Sequence, residues 1–82
     1  MLIKFYKEFR IVNLENFDEV CLETDEDSDE EHFKIVAARY TQKGIIKLIL
    51  SFYPKENESL AKSVYNSLLA SWCRNEAKFC MD

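Results

Sequence analysis

Seven of the nine residues from Glu23 to Glu31 are carboxylates: Glu23, Asp25, Glu26, Asp27, Asp29, Glu30 and Glu31. Carboxylates at this density can bind a divalent cation, share a proton as an acid–base pair, or dock on a basic partner. The spacing Asp25-x-Asp27-x-Asp29 opens like a calcium loop. Such a loop needs Gly at its sixth position and a bidentate Glu at its twelfth, where this chain has Glu30 and Val36. Acid–base catalysis needs carboxylates held on a rigid support, which an exposed run of like charges does not give. Docking remains: charges that repel one another stay solvated and project their field outward. Ser28, followed by Asp29, Glu30 and Glu31, also suits an acid-directed kinase.

The other candidates for chemistry are sparse. His32 is the single histidine, and no spacing brings it to a serine or cysteine nucleophile. Cys21, Cys73 and Cys80 are odd in number and irregular in spacing, which is neither a disulfide framework nor a CxxC metal pair. They read as reduced thiols, and no metal or cofactor is expected. With one Gly in the chain there is no phosphate-cradling loop. Lys4, Lys7, Arg10, Lys34, Arg39 and Lys47 among aromatic residues suggest nucleic-acid binding. However, the aromatics follow strand and helix periodicity, and the net charge of −4 opposes phosphate. Direct nucleic-acid binding is therefore not expected, nor is enzymatic activity.

The chain that must position these groups has 82 residues, 48% of them hydrophobic, and reads as a single domain over 1–82. The acidic run sets the sign of the charge: without it, eight acidic residues face 11 basic ones. No apolar stretch reaches the roughly 20 residues of a membrane span. Met1 to Val12 alternates apolar with charged residues, unlike a signal peptide, so a cytoplasmic protein with no membrane contact is expected.

Alternation places Ile3, Phe5, Phe9 and Ile11 on one face of strand and Leu2, Tyr6, Val12 and Leu14 on the other, with a turn or bulge at Lys7-Glu8. Asn13 to Asp18 is turn-prone, anchored by Leu14 and Phe17. Glu19 to Thr24 is a strand with Val20 and Leu22 opposite Cys21. The acidic run at 23–31 is expected as an exposed loop. His32 to Tyr40 is the next strand. Thr41-Gln42-Lys43-Gly44 is a hairpin connection, with Gly44 free to take positive φ. Ile45 to Tyr53 has only Lys47 and Ser51 polar before Tyr53 and is expected to be central, covered on both faces. Pro54 ends it.

Asn57 is the expected N-cap of a helix over about 58–74, with Glu58 in its first turn. Leu60, Val64, Leu68 and Trp72 should face the sheet. Asn75 can close the helix in the left-handed conformation, and Lys78 to Met81 can add a last strand. The fold class is α+β: an antiparallel β-meander of four to six strands with one C-terminal helix packed on the sheet.

Several segments together resemble small uncharacterised proteins of phages and mobile elements of low-GC Gram-positive bacteria. They are Ile11-Val12-Asn13-Leu14-Glu15-Asn16-Phe17, the strand with Val20 and Leu22, Ile35-Val36-Ala37-Ala38-Arg39-Tyr40, the Gly44 hairpin, Ile45 to Leu50, Tyr53, and the helix opening at Glu56 to Ala61. The acidic insertion, and Ser51 where a Gly often follows the strand, depart from that pattern. The resemblance implies a protein that binds and blocks host machinery. On that expectation the chain is a non-enzymatic acidic inhibitor, with the carboxylates of 23–31 docking in the basic groove of a host nucleic-acid-handling or defence protein. The alternative is a structural homo-oligomer, such as a homodimer, that pairs through a sheet edge while the acidic run keeps it soluble.

Overall fold

The computed structural model describes residues 1–5, 10–25 and 32–81. Strands β1 (Leu2–Phe5) and β2 (Ile11–Asn13) are followed by a 3-10 turn at Leu14–Asn16. Strands β3 (Glu19–Asp25), β4 (His32–Thr41) and β5 (Gly44–Pro54) come next. A second 3-10 turn, helix α1 (Glu58–Cys73) and strand β6 (Lys78–Met81) complete the order. The class is α+β, with six strands and one helix packed on sheet among the described residues, as the periodicity implies.

The strands form two sheets rather than one meander. One has the order β2-β1-β6 and the other β3-β4-β5. β6 runs parallel to β1, pairing Ile3 with Phe79 and Phe5 with Met81. A parallel return needs a crossover, and here it is α1 and the turn after it. Asn75 makes that turn at φ 58. Its N–H donates to the Trp72 carbonyl at 3.0 Å, and Glu76 N–H donates to Ser71 at 3.1 Å. The β4–β5 hairpin closes with Thr41 opposite Gly44, which sits at φ 130.

One core joins both sheets. Ile3, Phe5, Leu14 and Met81 meet Phe33, Ile35, Leu50 and Tyr53 under Ala61 and Leu68 of the helix. The Tyr65 hydroxyl fastens α1 to β3 by donating to the Val20 carbonyl at 3.2 Å.

Three expectations are corrected. Leu60 is 52% exposed, because the row facing the sheet is Ala61, Val64, Leu68 and Trp72, and small Ala61 lets the helix approach closely. Asn57 holds the N-cap position, but its side chain makes no capping hydrogen bond, since a 3-10 turn precedes it. β5 is not central: β4 is, and β5 lies at the sheet edge with one face open. The turn or bulge expected at Lys7-Glu8, with Tyr6 and Phe9 beside it, lies outside the described residues.

Candidate interaction surface

Side chains alternate across a sheet, so the pairing register sorts β3-β4-β5 into two faces. Val20, Leu22, Phe33, Ile35, Ala37 and Leu48 face α1 and the core. The opposite face carries three rows: Glu19–Ala38–Lys47, Cys21–Val36–Ile49 and Glu23–Lys34–Phe52. Tyr40 and Ile45 extend it toward the hairpin tip, and His32 and Pro54 close the other end. The register shifts between Ile35 and Val36, so that β5 carries one extra residue, Leu50. This bulge turns Leu50 inward, where it is 2% exposed.

No helix or strand among the described residues covers this outer face. Tyr40, Ile45, Ile49 and Phe52 are each about half exposed, as is Ile46 on the other face near the tip. Val36 and Ala38 escape water differently. They are small, sit on the central strand, and are overhung by longer neighbours. Lys47 Nζ donates to Glu23 Oε1 at 2.7 Å. This ion pair runs diagonally from the first row to the third, across Val36, which is 1% exposed.

The ion pair sets the local electrostatics. The hydrogen bond from Lys47 holds the Glu23 carboxyl below the usual carboxylate range, and the same bond raises the Lys47 ammonium. Cys21 is pushed up by burial first and by the Glu23 charge second, with its Sγ donating to Glu23 Oε1 at 3.7 Å. A raised thiol holds less of the nucleophilic thiolate, so Cys21 is a poor nucleophile. Tyr40 is raised by its hydrogen bond to Glu19.

The residues singled out from sequence fall as follows. Glu23 and Asp25 belong to β3 rather than to a loop, because the strand runs through Asp25 opposite His32. Glu26, Asp27, Ser28, Asp29, Glu30 and Glu31 lie outside the described residues. His32 packs against Phe52 with ring centroids 4.7 Å apart and planes tilted by 38°. Cys21, Cys73 and Cys80 are free thiols. Among the described residues no cluster of His, Cys, Asp and Glu could hold a metal ion. A shallow cleft of about 550 Å³ lies between the first sheet and the helix end, lined by Leu2, Asn13, Glu15 and Trp72 among others. It holds no histidine or cysteine.

Sequence reasoning missed the open apolar face. Its signal was the near-continuous apolar run from Ile45 to Phe52, read as burial on both faces. The chain matches no family model, no curated protein and no solved structure. Among the described residues no helix is long and apolar enough to cross a membrane.

Proposed function

We propose that this protein is a non-enzymatic interaction module whose working surface is the β4–β5 hairpin. One observation carries the reading: Tyr40, Ile45, Ile46, Ile49 and Phe52, five large apolar side chains of one hairpin, are each about half exposed. Scattered apolar residues on a surface are ordinary, whereas a contiguous patch marks an interaction site. A photo-reactive amino acid in place of Ile49 tests it in cells expressing the protein. A discrete cross-linked adduct, either with another protein or with a second copy, is the expected result. A smear with no discrete band would remove the reading.

A second reading keeps the acidic run as the docking element of an inhibitor encoded by a mobile element. It is supported by the register: Asp25 pairs with His32, so both ends of the run leave from the sheet end opposite the hairpin tip. Carboxylates at this density steer a basic groove on a nucleic-acid-handling protein by their charge. Changing Asp27, Asp29, Glu30 and Glu31 together to amides should then slow association, and added salt should slow the wild type in the same way. Equal rates for both proteins at two salt concentrations would leave the run a solubilising surface only.

A further inference from the structure

β5 is an edge strand of 11 residues, about twice the usual length. Natural proteins guard such edges with short strands, prolines, inward charges or bulges. Among the described residues, Pro54 closes the far end of β5, Lys47 is drawn back across the sheet to Glu23, and the guard on the edge itself is at the bulge. At the bulge, Arg10 Nη2 donates to the carbonyls of Ile49 and Leu50, each at 3.4 Å. The Arg10 guanidinium is held there over the Phe5 ring, 4.3 Å from its centroid. On β4, the Tyr40 N–H donates to Asp18 and the Ala38 carbonyl accepts from the Asp18 N–H, so both turn toward β3. Their partners Ile45 and Lys47 therefore turn N–H and C=O away from β4, to the open side. From Gly44 to Leu48 that side has no strand partner among the described residues.

The apolar exposure has a matching shape. Ile45 and Ile49 stand on the outer face of the sheet and Ile46 on the inner one, yet they are 56%, 48% and 54% exposed. A partner lying flat on the outer face would leave Ile46 in water. A strand added beside β5 flanks both faces and also satisfies the outward amides.

We infer that the occupant is a second copy of this chain, paired antiparallel through Gly44–Leu48 of β5 about a two-fold axis at Ile46. The inference rests on the hairpin being the working surface. A two-fold contact is self-complementary: Ile46 meets Ile46 of the other copy, and Ile45 meets Lys47. An axis at Lys47 would instead oppose two ammonium groups directly, which is destabilising. The outward backbone groups select the antiparallel sense. With the axis at Ile46, Ile45 of each copy falls opposite Lys47 of the other, and these are the residues whose N–H and C=O point outward, so each such pair exchanges both bonds of an antiparallel ladder.

The test is the solution mass of the full chain as a function of concentration. The expected value is twice 9.7 kDa. Ile46→Lys and Ile45→Pro should each weaken self-association at least roughly tenfold, or about 1.4 kcal/mol. Both should leave the circular dichroism spectrum unchanged, since Ile46 lies outside the core and the Ile45 amide makes no bond within the sheet. Hydrogen exchange at the Lys47 amide should be slow in wild type and fast in Ile46→Lys. A monomer at every concentration overturns the inference, as does a dimer that survives both substitutions. A dimer lost with Ile46→Lys but kept with Ile45→Pro would mean face contact without strand addition, and overturns it too. A monomer that still cross-links to another protein at position 49 defeats the pairing while leaving the interaction surface in place. No adduct of any kind defeats both.

Discussion

The two faces of the β3-β4-β5 sheet are built from similar residues but kept from water by different means. On the inner face, Phe33, Ile35 and Leu50 are at most 6% exposed, because α1 and the first sheet close over them. On the outer face, Ile49 and Phe52 are about half exposed, and the described chain supplies no layer above them. The difference lies in what the rest of the chain can cover. A domain this size buries only about 60% of its unfolded surface, and its one helix serves one face. Hydrophobic content therefore does not tell which face the helix closes and which it leaves open.

The sharpest way to break this comparison is to truncate each face in turn. Leu68 of α1 is fully buried against the inner face. Leu68→Ala should lower unfolding stability by about 2–5 kcal/mol in a denaturant titration. A loss below about 1 kcal/mol would mean that the helix face is not core. On the outer face, Ile45→Thr and Ile49→Thr keep the β-branch that strands favour and remove only an exposed apolar surface. Measured at protein concentrations that keep the chain monomeric, each should change stability by no more than about 0.5 kcal/mol. A cost near that of Leu68→Ala would show that something in the monomer covers this face.

Much of the fold was legible because strand and helix periods leave plain marks. Val20 and Leu22 opposite Cys21, Gly44 at positive φ, Asn75 in the left-handed conformation and Pro54 at a strand end all follow from local chemistry. The placement of β5 was not legible. Ile45 to Phe52 is apolar at both parities, a pattern that reads as burial on both faces, whereas Ile45, Ile46, Ile49 and Phe52 are each about half exposed. Leu60 was misplaced for a related reason. The helix has adjacent apolar rows, one through Leu60 and one through Ala61, and only the sheet decides between them. Of the acidic run, Glu23 was legible as a carboxylate but not as the partner of Lys47. That contact joins strands 24 residues apart in sequence.

The smallest expected effect concerns that ion pair, which separates the two ways the outer face excludes water. Both partners are partly solvated, with side chains 31% and 52% exposed, so the pair contributes little to stability. Its signature is the pH dependence. The Glu23 pKa is depressed, so its contribution is present above the unfolded glutamate value of about 4.3 and is lost as pH falls through the lower folded value. The Lys47 pKa is raised, so its contribution is present below the unfolded lysine value of about 10.4 and is lost as pH rises through the higher folded one. The pair is therefore fully effective between those limits. Lys47→Met keeps an apolar stem over Val36 and removes only the charge. It should shrink this small acid-limb dependence in urea titrations, leaving what Cys21 and Lys34 contribute, without the loss expected of a core truncation. The substitution also leaves Glu23 with the Cys21 thiol and Lys34 as its neighbours. With the ammonium gone, the nearby carboxylate should push the thiol further up, so alkylation of Cys21 should move to higher pH in a Cys73→Ser, Cys80→Ser background. A thiol profile that does not move would mean that Glu23 turns to solvent once freed, and that Val36 is shielded by Ile49 and Cys21 alone.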